Sequence, residues 1–91
     1  SQFVDPAIHR AYYEEFAAGY RAGLEEAEAR GEISAGDAEV RAWALMGVTD
    51  MVGRRYSLYD QTGPLDAAAE AAFDFIAQGI APRPTGRGRH G

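Results

Sequence analysis

Val40–Val52, VRAWALMGVTDMV, is apolar around nearly its whole circumference, yet it carries Arg41, Thr49 and Asp50. A surface helix of a globular protein shows one apolar stripe and one polar face. This stretch has no such division, so it reads as a central packing helix enclosed by other helices or by a second subunit.

Two segments flank it. Upstream, Asp5-Pro6 is a strong helix start, because the carboxylate accepts from first-turn amides and proline fits the first helical position. The helix should run from Pro6 to about Arg30, with Gly31 as the left-handed residue beyond its end. Ile8, Tyr12, Phe16, Tyr20 and Leu24 recur every four residues with Tyr13, Ala17 and Ala27 beside them, and Glu14, Arg21, Glu25 and Glu28 form the outer face. Asp37 is a good N-cap for the second helix, which should run from Ala38 to about Tyr59. Gln61-Thr62-Gly63-Pro64 breaks it. Downstream, Asp66 is placed to cap a third helix from Ala67 to Ile80, with Ala69, Ala72, Phe73, Ile76, Ala77 and Ile80 as its stripe and Glu70, Asp74 and Gln78 as its wet face. Residues 82–91, PRPTGRGRHG, have no hydrophobic anchor and read as a disordered tail. Neither strand-like alternation nor an internal repeat is present, so the fold class is all-α.

Composition bounds the function. The 91 residues suffice for one domain, and a domain of that size needs well-packed helices, crosslinks or a partner. There are no cysteines, which excludes a disulfide scaffold, a thiolate nucleophile and thiolate metal sites. No run reaches bilayer-spanning length and SQFVDPAIHR lacks the regions of a signal peptide, so the chain reads as soluble and cytoplasmic, with no membrane partner. Residues 1–81 hold six arginines against all fourteen acidic residues, a net charge of −8. Such a body repels nucleic acid and should not bind DNA by itself.

Sites for chemistry are scarce. His9 and His90 lack a partner at metal-ligand or nucleophile–base spacing and read as solvated surface histidines. Glu14–Glu15 and Glu25–Glu26–Glu28 read as solvating charge, and Gly86-Arg87-Gly88-Arg89 as a terminal tract rather than a phosphate-binding one. The chain does not read as an enzyme, and no cofactor or metal site is expected. Asp50 and Arg54 stand four apart on the most enclosed helix, either as a self-compensating pair or as a polar handle for a ligand. Phe16, Tyr20, Trp43, Met46, Asp50 and Arg54 form the candidate ligand-binding set; Tyr56, Tyr59 and Met51 are further candidates for a cavity wall, and the aromatics and methionines are more often core than pocket.

The succession FVDPAIHRAYYEEFAAGYRAGLEEAEARGEI, DAEVRAWALMGVTDMVGRRYSLYD and PLDAAAEAAFDFIAQGIAP resembles the C-terminal region of TetR-type transcriptional regulators. The likeness covers nearly all of the chain except the arginine tail. It implies an effector-binding and dimerisation region, residues 1–81, of a regulator, most simply a repressor. The family's N-terminal helix-turn-helix domain, through which operator DNA would be bound, is absent from these residues. It also implies a homodimer in which the last two helices form a four-helix bundle with those of a second subunit, with Ala44, Gly47, Val48, Met51, Ala69, Ala72, Phe73, Ile76 and Ile80 at the interface. The effector would be a small apolar or amphipathic molecule that alters operator binding by linkage. The alternative is a stand-alone helical dimerisation or interaction module without ligand or DNA binding.

Overall fold

The computed structural model describes residues 5–59 and 65–83. Among these, the chain forms α1 (Pro6–Ala29), α2 (Ala38–Gly53), a π-helical extension of α2 (Arg54–Tyr59) and α3 (Leu65–Ile80), and no strand. The all-α expectation holds. The break at 61–64 and the tail from residue 84 onward, with His90 and the Gly86–Arg89 tract, lie outside the described residues.

The starts of α1 and α2 follow from side-chain capping. Asp5 Oδ1 accepts from the Ala7 amide at 2.8 Å with Pro6 at the first helical position, and Asp37 Oδ1 accepts from the Val40 amide at 3.0 Å. At the end of α1, Gly31 takes φ +74°, the left-handed conformation that residues with a Cβ avoid. α3 begins at Leu65, two residues before the expected start. Asp66 is therefore not its cap but lies in its first turn, where a carboxylate still meets the positive end of the helix dipole. The α-helical winding of the second helix stops at Gly53, six residues short of Tyr59, and continues as a wider π turn. Gly53 is a poor helix former, and its carbonyl accepts from the Ser57 hydroxyl, which offers the backbone an alternative partner.

α2 is the centre of the arrangement. Arg21 on α1 reaches Glu39 at the start of α2, so these two helices run antiparallel. Leu65 and Ala69 lie near Val52 and Gly53, whereas Gly79 and Ile80 lie near Arg41 and Leu45, so α3 is antiparallel to α2 as well. α1 and α3 each pack on α2 and do not pack on each other. A trough therefore runs over α2 between them. It is closed at one end, where the Ser34 amide of the α1–α2 loop donates to the Ile80 carbonyl at 2.8 Å. Along the α1 stripe, exposure falls from 65% at Ile8 through 56% at Tyr12, 49% at Phe16 and 40% at Tyr20 to 9% at Leu24. The apolar flank of α1 is thus covered progressively towards the closed end.

Two expectations change here. The apolar face of α1 is only partly a core face, since Leu24 and Ala17 are buried and the aromatics are not; Arg21, assigned to the outer face, turns towards α2. Likewise α2 is not enclosed within one chain. Ala42 is its buried residue, while Val40 and Met51 are 62% and 59% exposed. Both departures have one cause: three helices in an open layer leave one flank of each wall and one face of the central helix uncovered. Among the described residues the buried apolar side chains are Ala17, Leu24 and Ala42. No helix among the described residues is long and apolar enough to cross a membrane.

Candidate functional site

The trough is lined by residues that periodicity alone would call core. Towards α1 it is walled by Phe16, Gly19, Tyr20 and Gly23, with Leu24 and Leu45 at its base. At the closed end, Leu24 and Leu45 meet Val48, Ile76 and Ile80 around a cleft of about 220 Å³. Towards the open end, Thr49 and Val52 form the floor, and Leu65, Ala69, Phe73 and Ile76 form the α3 wall. The cleft shares Leu24 and Leu45 with the first stretch and Ile76 with the last, so the three are continuous. The Thr49 hydroxyl is already committed, donating to the Leu45 and Met46 carbonyls at 3.0 and 3.1 Å. What the trough offers a ligand is overwhelmingly apolar surface. Phe16 of the α1 wall is held in edge-to-face contact by Tyr12, one turn earlier on the helix, at 4.9 Å and 83°.

A second groove runs along the α2–α3 seam and adjoins the closed-end cleft, with which it shares Val48 and Phe75. Val48, Met51 and Val52 from α2 face Ala68, Ala71, Ala72 and Phe75 from α3. The π turn contributes Tyr56, which lines this groove as well. Phe73 and Phe75 are each 72% exposed; Phe73 lines the open stretch of the trough, whereas Phe75 lines both the closed-end cleft and the second groove.

The candidate ligand set divides accordingly. Phe16 and Tyr20 come together on the α1 wall. Trp43, Met46, Asp50 and Arg54 line none of these clefts: the Trp43 indole N–H donates to Glu39 Oε2 at 3.1 Å, and Arg54 Nε donates to Asp50 Oδ1 at 3.2 Å as an exposed pair along one turn. The enclosed pair expected from sequence is therefore a solvent-facing one. The candidate interface set also divides: Gly47 is exposed and lines none of these clefts, Met51 lines the second groove, Ala44 lines the closed-end cleft, Val48, Ala72 and Ile76 lie between the two helices, and Ala69 and Phe73 line the open stretch of the trough. Ile80 lies at the closed end.

Two polar clusters hold the arrangement in place. Arg21 Nη1 bonds Glu39 Oε1 at 2.7 Å while Trp43 bonds the other oxygen, so one carboxylate ties α1 to α2. The Arg21 and Trp43 hydrogen bonds, in that order, hold the Glu39 carboxyl below its usual pKa, and the same pairing raises that of Arg21. At the closed end, Arg41 Nη1 donates to the Ser34 carbonyl at 2.6 Å, and Nη2 donates to the Ser34 hydroxyl at 2.9 Å and more loosely to the Ala35 carbonyl at 3.4 Å. Ser34 is buried, so Arg41 satisfies groups that water cannot reach.

Sequence reasoning did not find the Arg41–Ser34 cluster or the Gly19–Gly23 step. The available signals were a lone arginine inside an apolar helix, seven residues after a serine in a glycine-flanked loop, and two glycines one turn apart beside aromatics. Among the described residues no group of histidine and carboxylate side chains is placed to hold a metal ion. His9 stacks edge-on against Tyr13 at 4.9 Å on the surface of α1. No family model, curated protein or solved structure matches this chain.

Proposed function

We propose that this chain is the ligand-sensing and dimerisation region of a TetR-type transcriptional regulator, a repressor in the simplest case. Operator DNA would be contacted by a helix-turn-helix domain outside these residues, and the acidic body described here would not contribute to that contact. The observation that carries the reading is the uncovered apolar surface of the α2–α3 pair, an apolar trough beside α1 and a second apolar groove that continues from its closed end along the α2–α3 seam. The trough suits a small apolar or amphipathic effector. The second groove suits a second copy of the chain, because Gly47, Ala68 and Ala71 let helices approach closely and Val40 and Met51 supply apolar area around them. The resulting homodimer would pair α2 and α3 with their counterparts in a four-helix bundle. An effector that changes the angle between α1 and α3 would then change the geometry of the dimer and of the DNA-binding heads.

Sedimentation of the 91-residue chain tests the assembly. The reading expects a species of twice the 9.8 kDa chain mass, converted to monomer by Gly47→Glu. A parent that stays monomeric at tens of micromolar, or a Gly47→Glu variant that remains an equally stable dimer, would sink it.

A further inference from the structure

Among the described residues lining the cleft at the closed end of the trough, Arg41 alone carries a charge. Its three hydrogen-bond acceptors, two carbonyls and a hydroxyl, are all neutral. Arg10, Arg21, Arg30 and Arg54 each have a carboxylate within 3.2 Å, whereas no described carboxylate stands within ion-pair distance of Arg41. A guanidinium has five N–H donors, so Arg41 retains capacity beyond these contacts. A half-buried cation with no carboxylate in ion-pair contact, at the end of an otherwise apolar channel, is complementary to a molecule with one negative end and an apolar body.

We infer that the trough binds the carboxylate of an aliphatic acid, head on Arg41 and chain along Leu24, Leu45 and Ile76 towards Phe16 and Tyr20. This rests on the ligand-sensing reading above and names the ligand class for it. The cleft of about 220 Å³ has room for roughly seven groups of the size of a water molecule, at ~30 Å³ each, which fits a chain of six to eight carbons. No second described cation lines the cleft, which matches a single negative charge rather than a phosphate dianion.

Calorimetric titration of the 91-residue protein at pH 7 with octanoate, 1-octanol and octylammonium tests this. The expected result is saturable binding of one octanoate per chain, at least tenfold tighter than octanol or octylammonium. Arg41→Gln should erase the preference for octanoate over octanol and octylammonium, and Arg41→Lys should keep it. If Arg41→Gln does not fold, the ranking of the three ligands on the parent protein decides alone. Equal affinity for octanoate and octanol, or an Arg41→Gln protein with undiminished octanoate affinity, overturns the head-group assignment while leaving a trough that binds apolar chains. Failure of all three ligands to bind overturns the inference and the ligand-sensing reading together.

Discussion

The Ser34 amide donates to the Ile80 carbonyl at 2.8 Å, joining the loop after α1 to the last residue of α3 across forty-six positions of sequence. This contact satisfies one of the carbonyls that a helix C-terminus leaves without an intrahelical partner. Arg41, by fixing the carbonyl and hydroxyl of the same serine, holds that amide in position. Arg41→Ala should therefore loosen both ends of the trough's closure. The expected cost is about 1.5 kcal/mol, or a fall in Tm of roughly 10 °C at fixed protein concentration, read by thermal circular dichroism. A Tm unchanged within 2 °C or so would mean that the closure carries no weight.

Gly36 is required by the same arginine. A Cβ at this position would lie 2.6 Å from both Nε and Nη2 of Arg41, so Gly36→Ala should displace the guanidinium from Ser34. In the parent background its cost should approach that of Arg41→Ala. In the Arg41→Ala background it should cost almost nothing, and simple additivity of the two substitutions would count against the proposed displacement.

Acidification should release the α1–α2 tie. The Glu39 carboxyl, held low by Arg21 and Trp43, contributes stability that is present above the ordinary glutamate pKa of about 4.3. That contribution is lost as the pH falls through the depressed value, while Arg21 stays charged throughout. Melting curves from pH 7 down to pH 3 should show a steeper decline for the parent than for Glu39→Gln. The difference should be modest, because the pair is solvent-exposed and screened. Parallel declines would show that Glu39 does not titrate differently in the folded chain.

Phe73 and Phe75 should behave differently despite equal exposure. Phe75→Glu, on the second groove and the cleft it adjoins, should shift the sedimentation equilibrium towards monomer by tenfold or more. Phe73→Glu, on the open stretch of the trough, should leave self-association close to the parent's. A reversed pattern would place the second copy over the open stretch of the trough.

Asp50→Ala removes an exposed pair spaced along one turn of helix. Its effect on unfolding free energy should stay within about 0.5 kcal/mol. A substantially larger loss would show that Asp50 is covered in the assembled protein.

Local chemistry made the helices legible. Asp5, Asp37 and Gly31 act at element ends through groups only a few residues away, so reading them requires no knowledge of the rest of the fold. The spacing of Ala17 and Leu24 likewise marks the flank of α1 that becomes buried. The candidate site was less legible, because periodicity gives an angle around one helix axis and not the neighbour found at that angle. Phe73 and Ile76 share a stripe in sequence, yet one ring stands open on the trough side while Ile76 is half-covered by α2. Trp43 and Asp50 looked enclosed for the same reason, since an all-apolar helix implies cover without saying which molecule provides it. Arg41 was visible as an anomaly, but its partner Ser34 lies in a loop whose path depends on the end of α3.

Among the described residues α1 packs on α2 and not on α3, and its polar ties, at Glu39 and through the Ser34 closure, lie in its C-terminal half and beyond its C-terminal end. A helix of twenty-four residues is about 36 Å long, so a tilt of about 5° about that end carries Pro6 through about 3 Å. α1 is thus a lever whose fulcrum lies beside the cleft, and any segment joined ahead of Pro6 would ride on its long arm.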